Sequence, residues 1–160
     1  MPQGLVKAAN QIVVSGDPIR IEMEVGANAT AAKMLPGRLV IFDDTDVSVK
    51  EAGAAADGFI GVLDVSASKK ESDAYAVGDE VMVVTGPHGI VLKLLLLANE
   101  NVTRGDALVT AADGKVAKQA VGAMGAQGSP IGIALESSNV VTDAEILVLW
   151  QPSIEPAAAA

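Results

Sequence analysis

The sequence predicts a mainly β protein: a small pseudo-duplicated β-barrel or sandwich domain with an extended N-terminal arm. Three observations carry this expectation. Short runs rich in Val, Ile and Leu are separated by clusters of Gly, Asp, Asn or Pro, the punctuation of strands and turns. A composite motif occurs twice along the chain. Half of the 160 residues are hydrophobic yet only 2% are aromatic, so the core has to be built from aliphatic side chains.

Taken in order, residues 1–18 read as the arm. Leu5, Val6, Ile12, Val13 and Val14 are apolar but precede the turn signal Ser15-Gly16-Asp17-Pro18, in which the proline biases Asp17 toward extended geometry. Such a segment either adds a strand to another chain or completes its own barrel, because Ile12-Val13-Val14 is also an ordinary strand core. A β-rich domain is expected over 19–152, with strands near Ile19 to Val25, Arg38 to Phe42, Phe59 to Val65, Glu80 to Thr85, Ile131 to Leu135 and Ile146 to Trp150. The Ala-rich stretch 117–126 permits a helix, while its glycines at 122 and 125 favour a loop. Residues 153–160 read as a flexible tail.

The segment "GIVLKLLLLAN", residues 89–99, breaks the alternation of a strand with one wet face, since only Lys93 interrupts its apolar run. Both faces need cover. Cover by a neighbouring subunit makes Ile90, Leu92, Leu94, Leu95, Leu96 and Leu97 subunit-interface candidates, and Trp150 is either an interface anchor or a core plug. An internal second layer is the alternative.

The duplicated motif explains several smaller signals. "PGRLVIFDDTDVSV" followed by "GFIGVLDVSA" parallels "RGDALVTAADGKVA" followed by "SPIGIALESS": turn glycine, apolar strand, acidic turn, return strand, loop, then Ile-Gly-Val or Ile-Gly-Ile. Gly61 and Gly132 then mark close backbone approach inside a strand, and Asp113-Gly114 is a hairpin turn. Gly78-Asp79 and Gly105-Asp106 each precede an apolar strand, where glycine supplies positive φ and aspartate bonds nearby N–H groups. Arg104-Gly105-Asp106 is thereby explained without an adhesion role, although the tripeptide also occurs in adhesion ligands.

Composition excludes other classes. A formal charge of −9 repels a phosphate backbone, and the aromatic platforms used for single strands and sugars are scarce. There is no cysteine for a disulfide, thiolate metal site or nucleophile, no apolar run of membrane-spanning length, and no secretory-type N-terminus. The single histidine, His88, sits between Pro87 and Gly89 in a hairpin loop, and no Gly-x-Ser-x-Gly elbow is present, so no catalytic residues are assigned. Asp43-Asp44-Thr45-Asp46 lacks the spacing and closing Glu of a calcium hand and reads as a solvated turn. No metal or cofactor is expected.

The order Leu-Val, acidic turn, Val, small-residue loop, Ile-Gly-Val-Leu-Asp-Val-Ser-Ala resembles the head decoration proteins of lambda-type tailed phages, and "YAVGDEVMVVTGPHGIVLKLLLLANENVTRGDALV" is similar to the broader phage capsid cement proteins. The resemblance covers roughly residues 30 to 150. It implies a non-enzymatic virion protein, made in the host cytoplasm, that assembles as a homotrimer on the outside of an icosahedral capsid. It would bind the major capsid protein and stabilise capsomer joints, without membrane or direct nucleic-acid partners. On this view Leu5, Val6, Ile12, Val13 and Val14 are capsid-contact candidates. Two alternatives remain. A lipoyl- or biotinyl-type carrier domain would need a modified lysine at a hairpin tip, for which Lys33 in "AAKMLPG" is the candidate. A surface adhesion module would use the Arg-Gly-Asp tripeptide.

Overall fold

A computed structural model describes residues 6–152, apart from 46, 57 and 121–127. The longer strands fall on the Val-, Ile- and Leu-rich runs, and short ones lie between them: β1 (Val13–Ser15), β2 (Ile19–Val25), β3 (Leu39–Phe42), β4 (Ser48–Glu51), β5 (Gly61–Leu63), β6 (Glu80–Gly86), β7 (Val91–Leu96), β8 (Asn101–Val102), β9 (Ala107–Thr110), β10 (Val116–Lys118), β11 (Gly132–Ala134), β12 (Ser138–Asn139) and β13 (Ala144–Trp150). Ala117, at the start of the stretch whose composition permits a helix, lies in β10, and most of the remainder of that stretch is outside the described residues.

The strands close into two barrels. The first runs β2-β4-β3-β5-β6 and back to β2; the second runs β7-β10-β9-β11-β13 and back to β7. In each, the first and third strands pair in parallel and every other pair is antiparallel. The registers coincide as well. Val25 faces Val49 as Leu96 faces Val116, Val40 faces Gly61 as Leu108 faces Gly132, and Met23 faces Val81 as Leu94 faces Ile146. The duplicated motif is therefore a duplicated barrel, with one copy of the expected unit in each.

Inside the first barrel the inward positions Met23, Val25, Val40, Val49, Leu63, Val81 and Val83 form one core with Met34 and Tyr75. The outward positions Leu39, Ala52, Ile60, Val62 and Val84 join the core of the second barrel, around Leu92, Leu94, Leu96, Leu108, Val116, Ile146 and Val148. One face of the first barrel is thus a wall of the second barrel's core. The hairpin after β9 docks at this joint. Asp113 and Gly114 both have positive φ (60° and 70°), as a two-residue turn of mirror-image type requires, and the Gly114 N–H donates to the Ala52 carbonyl at 2.8 Å.

Closed barrels have no free sheet edges along their full pairs. Partial edges remain where a neighbour stops short: the start of β7, beyond β10, is covered by β1, whereas the start of β2, beyond β4, has no backbone partner on that side among the described residues.

Candidate functional site

The expected arm is laid against the second barrel. β1 pairs antiparallel with β7, placing Val13 opposite Leu92 and Ser15 opposite Val91, and the Lys93 N–H donates to the Ile12 carbonyl at 2.9 Å. Ile12 is fully buried, Val13 and Val14 are half-buried, Val6 is 72% exposed, and Leu5 lies outside the described residues. Polar contacts hold the same stretch. The Lys93 ammonium donates to the Ala8 carbonyl at 2.7 Å and to Glu71 at 2.8 Å, Asn10 and Glu71 exchange backbone-to-side-chain bonds, and Lys7 pairs with Glu136 at 2.8 Å.

This arrangement supplies the cover that the apolar run requires. Leu92, Leu94 and Leu96 point into the barrel; Lys93, on the other face, is buried beneath the N-terminal segment and between Glu71 and Glu145. Ile90 and Trp150 are also buried by the chain itself, so the interface-candidate set keeps solvent-facing surface only at the half-buried Leu95 and Leu97. Trp150 fills the core, and its indole N–H has no hydrogen-bond partner among the described residues. A cleft of about 400 Å³ opens beside Lys93, lined in part by Asn10, Pro36, Arg38, Glu71 and Glu145.

Gly78-Asp79 and Gly105-Asp106 are matching turns. The glycines take φ of 86° and 97°, and the aspartates accept the N–H groups of Ala76 at 2.8 Å and Thr103 at 2.7 Å. Lys118 adds a 2.8 Å ion pair to Asp106; that contact and the Thr103 N–H hold its carboxyl below the usual range. The aspartate of the Arg-Gly-Asp tripeptide is thus engaged in building the turn. Lys33, the carrier-lysine candidate, sits in a 3-10 turn and pairs with Asp113 at 2.6 Å, not at a hairpin tip. His88 is exposed in the turn joining the barrels. Asp43 accepts the Asn28 N–H and side-chain amide, both at 3.0 Å, and the Asn28 amide also reaches Asp44 at 2.6 Å. These bonds, with Lys50, hold the Asp43 carboxyl below its ordinary value.

The surface that sequence reasoning did not single out is the mouth of the first barrel. Parallel β2 and β4 start at one end, where antiparallel β3 finishes and β5 starts. The inward series of these strands continues past the sealed core: Ile19 and Ile21 precede buried Met23, Phe42 follows buried Val40, and Val47 precedes buried Val49. They are 55%, 44%, 45% and 63% exposed, respectively. Phe42 stacks on half-buried Phe59, with ring centroids 4.1 Å apart. Ile90 and Leu92 hold the places of Ile19 and Ile21 in the second barrel, and both are covered. In the sequence Ile19 and Ile21 read only as the start of the strand Ile19 to Val25; barrel closure shows that among the described residues nothing caps their end.

A profile of the XM1 gp53 minor capsid protein family matches residues 8–149. The chain belongs to this family. It is thereby a capsid-associated phage protein, in agreement with the coarse implication of the decoration-protein resemblance. No curated protein sequence matches it. Among solved structures, the chain is similar to the head fiber gp8.5 N base of bacteriophage phi29, at 14% identity and a TM-score of 0.53, with 86% of this chain and 99% of that one covered. At this identity the likeness concerns the fold.

Proposed function

We propose that the protein is a non-enzymatic cement or decoration component on the outer surface of a phage-type capsid, where it contacts the major capsid protein as a homotrimer and braces capsomer joints. The family match over residues 8–149 carries the reading. The acidic groups described above support it, because Asp43, Asp79, Asp106 and Asp113 are spent on turns and ion pairs. The mouth of the first barrel offers an apolar contact surface in an otherwise anionic molecule. Many copies on a lattice gain strength through multivalency even where each contact is modest.

Sedimentation of purified protein with mature capsids lacking it, followed by electron microscopy, tests the reading. The expected result is saturable binding with added density on the outer surface, and threefold density at each site. Protein that stays in the supernatant, or density inside the shell, rejects it. Light scattering of the free protein checks the trimer separately.

A further inference from the structure

We propose that the β2 edge at Arg20–Glu22 accepts an added strand from a partner protein. The partner segment is extended, apolar at alternate positions and flanked by Lys or Arg; on the capsid reading above, on which this rests, it belongs to the shell protein. The two barrels differ at one matching edge. In the second, the matching edge of β7 is occupied: β1 lies antiparallel to it, and the Lys93 N–H donates to the Ile12 carbonyl. Glu22 holds the place of Lys93, since Glu22 faces Met82 on β6 as Lys93 faces Leu147 on β13.

In the first barrel β4 meets β2 only from Glu24 onward. The Glu24 N–H donates to the Val47 carbonyl at 2.9 Å, whereas Val25 bonds Asp79 on the β6 side. Backbone groups alternate along a strand, so Glu22 turns its N–H and carbonyl to the same side as Glu24. Among the described residues no backbone pairs with that side of Arg20 or Glu22. An incoming strand would satisfy these groups and seat its apolar side chains on Ile19 and Ile21, the positions whose counterparts are covered in the other barrel.

Charge selects the occupant. Glu22 and Glu24 are exposed along the edge strand, and Arg20 is engaged by Asp64 at 2.6 Å. Residues 17–86 hold 13 of the 20 acidic side chains and six of the 11 basic ones. A second copy pairing antiparallel through the same edge would set its glutamates against these, which like-charge repulsion disfavours. A strand with cationic flanks is the complement.

The test uses the full-length protein and capsids lacking it. Amide exchange at Arg20 and Glu22 should be fast in the free protein and slowed at least tenfold on the capsid. Glu22→Pro removes the edge-facing donor while sparing the β6 ladder, and should weaken binding tenfold or more; should it not fold, Glu22→Lys combined with Glu24→Lys, checked for wild-type melting, should do the same. Wild-type protein that binds capsids without slowed exchange at these amides, or a folded charge-reversed variant that binds as tightly as wild type, overturns the strand proposal and leaves capsid binding intact. Failure of the wild-type protein to bind removes the capsid reading and this proposal with it.

Discussion

At the scale of single residues, Gly61 and Gly132 show how the motif fixes geometry. A Cβ on Gly132 would overlap the Leu149 carbonyl on the neighbouring strand, and one on Gly61 would overlap the Val83 side chain. Backbone yields less than a side chain tip, so the two sites should differ. Gly132→Ala is expected to cost about 3 kcal/mol, and Gly61→Ala less, read from urea midpoints. Both glycines were legible in the sequence because Ile-Gly sits inside an apolar run twice. The role of Asp106 was equally legible, as a strand-entry aspartate, but its Lys118 partner was not: the pair forms across the β9–β10 hairpin register, which no single segment displays. Asp106, like Asp43, Asp113 and Asp143, has its carboxyl held low in the folded protein, so its stabilising effect is complete above the ordinary carboxylate value and lost as pH falls through the depressed one. Melting temperature should therefore hold steady from pH 7 to about 5 and drop below about 4, and Asp106→Ala should lower the plateau while reducing the acid-dependent fall. An equal fall in that variant would remove Asp106 from the effect.

At the scale of elements, β7 and the N-terminal segment form one unit. The sequence showed that both faces of 89–99 needed cover, a consequence of losing alternation, but not who supplies it, because burial by the same chain and by a neighbour leave the same apolar pattern. Lys93 was the missing clue: a lysine at a buried position requires acceptors, and Ala8, Glu71 and Glu145 gather around it. Lys93→Met should therefore loosen residues 7–12 while leaving the β7–β13 ladder in place. Amide exchange should rise across the N-terminal segment and stay low at Leu94 and Ile146, with a stability loss of about 2 kcal/mol for the charged hydrogen bonds removed. Unchanged exchange in residues 7–12 would show that Ile12 and the Asn10–Glu71 and Lys7–Glu136 contacts anchor the segment without the Lys93 ammonium. Ile12→Ala is the complementary variant, and a buried isoleucine cut to alanine should cost about 3 kcal/mol in a urea melt.

For the whole molecule, the duplication was readable because two strand-turn-strand units keep their order and their glycines. Barrel closure was not, since it depends on β2 meeting β6 and β7 meeting β13 across long loops. Nor was the sharing of core between the barrels, because Leu39, Val62 and Val84 read only as strand residues and nothing local says that they face the second barrel. That sharing has a thermodynamic consequence. Were the barrels independent, calorimetry would resolve two transitions; with the outer wall of one completing the core of the other, they should unfold together in one, with calorimetric and van't Hoff enthalpies equal. The joint is also where the two should be separable. A Cβ on Gly114, already at positive φ, would lie 2.7 Å from the Leu39 carbonyl, so Gly114→Val has to push the β9–β10 hairpin off β3. The expected outcome is a lower melting temperature with the single transition broadened or split, as the hairpin loses the Ala52 hydrogen bond and the second barrel loses its cover. A Gly114→Val protein that melts in one sharp transition at the wild-type temperature would mean that the barrels do not depend on this contact, and that the apolar wall and the other bonds across the joint, such as Ala56 to Thr110, hold them together.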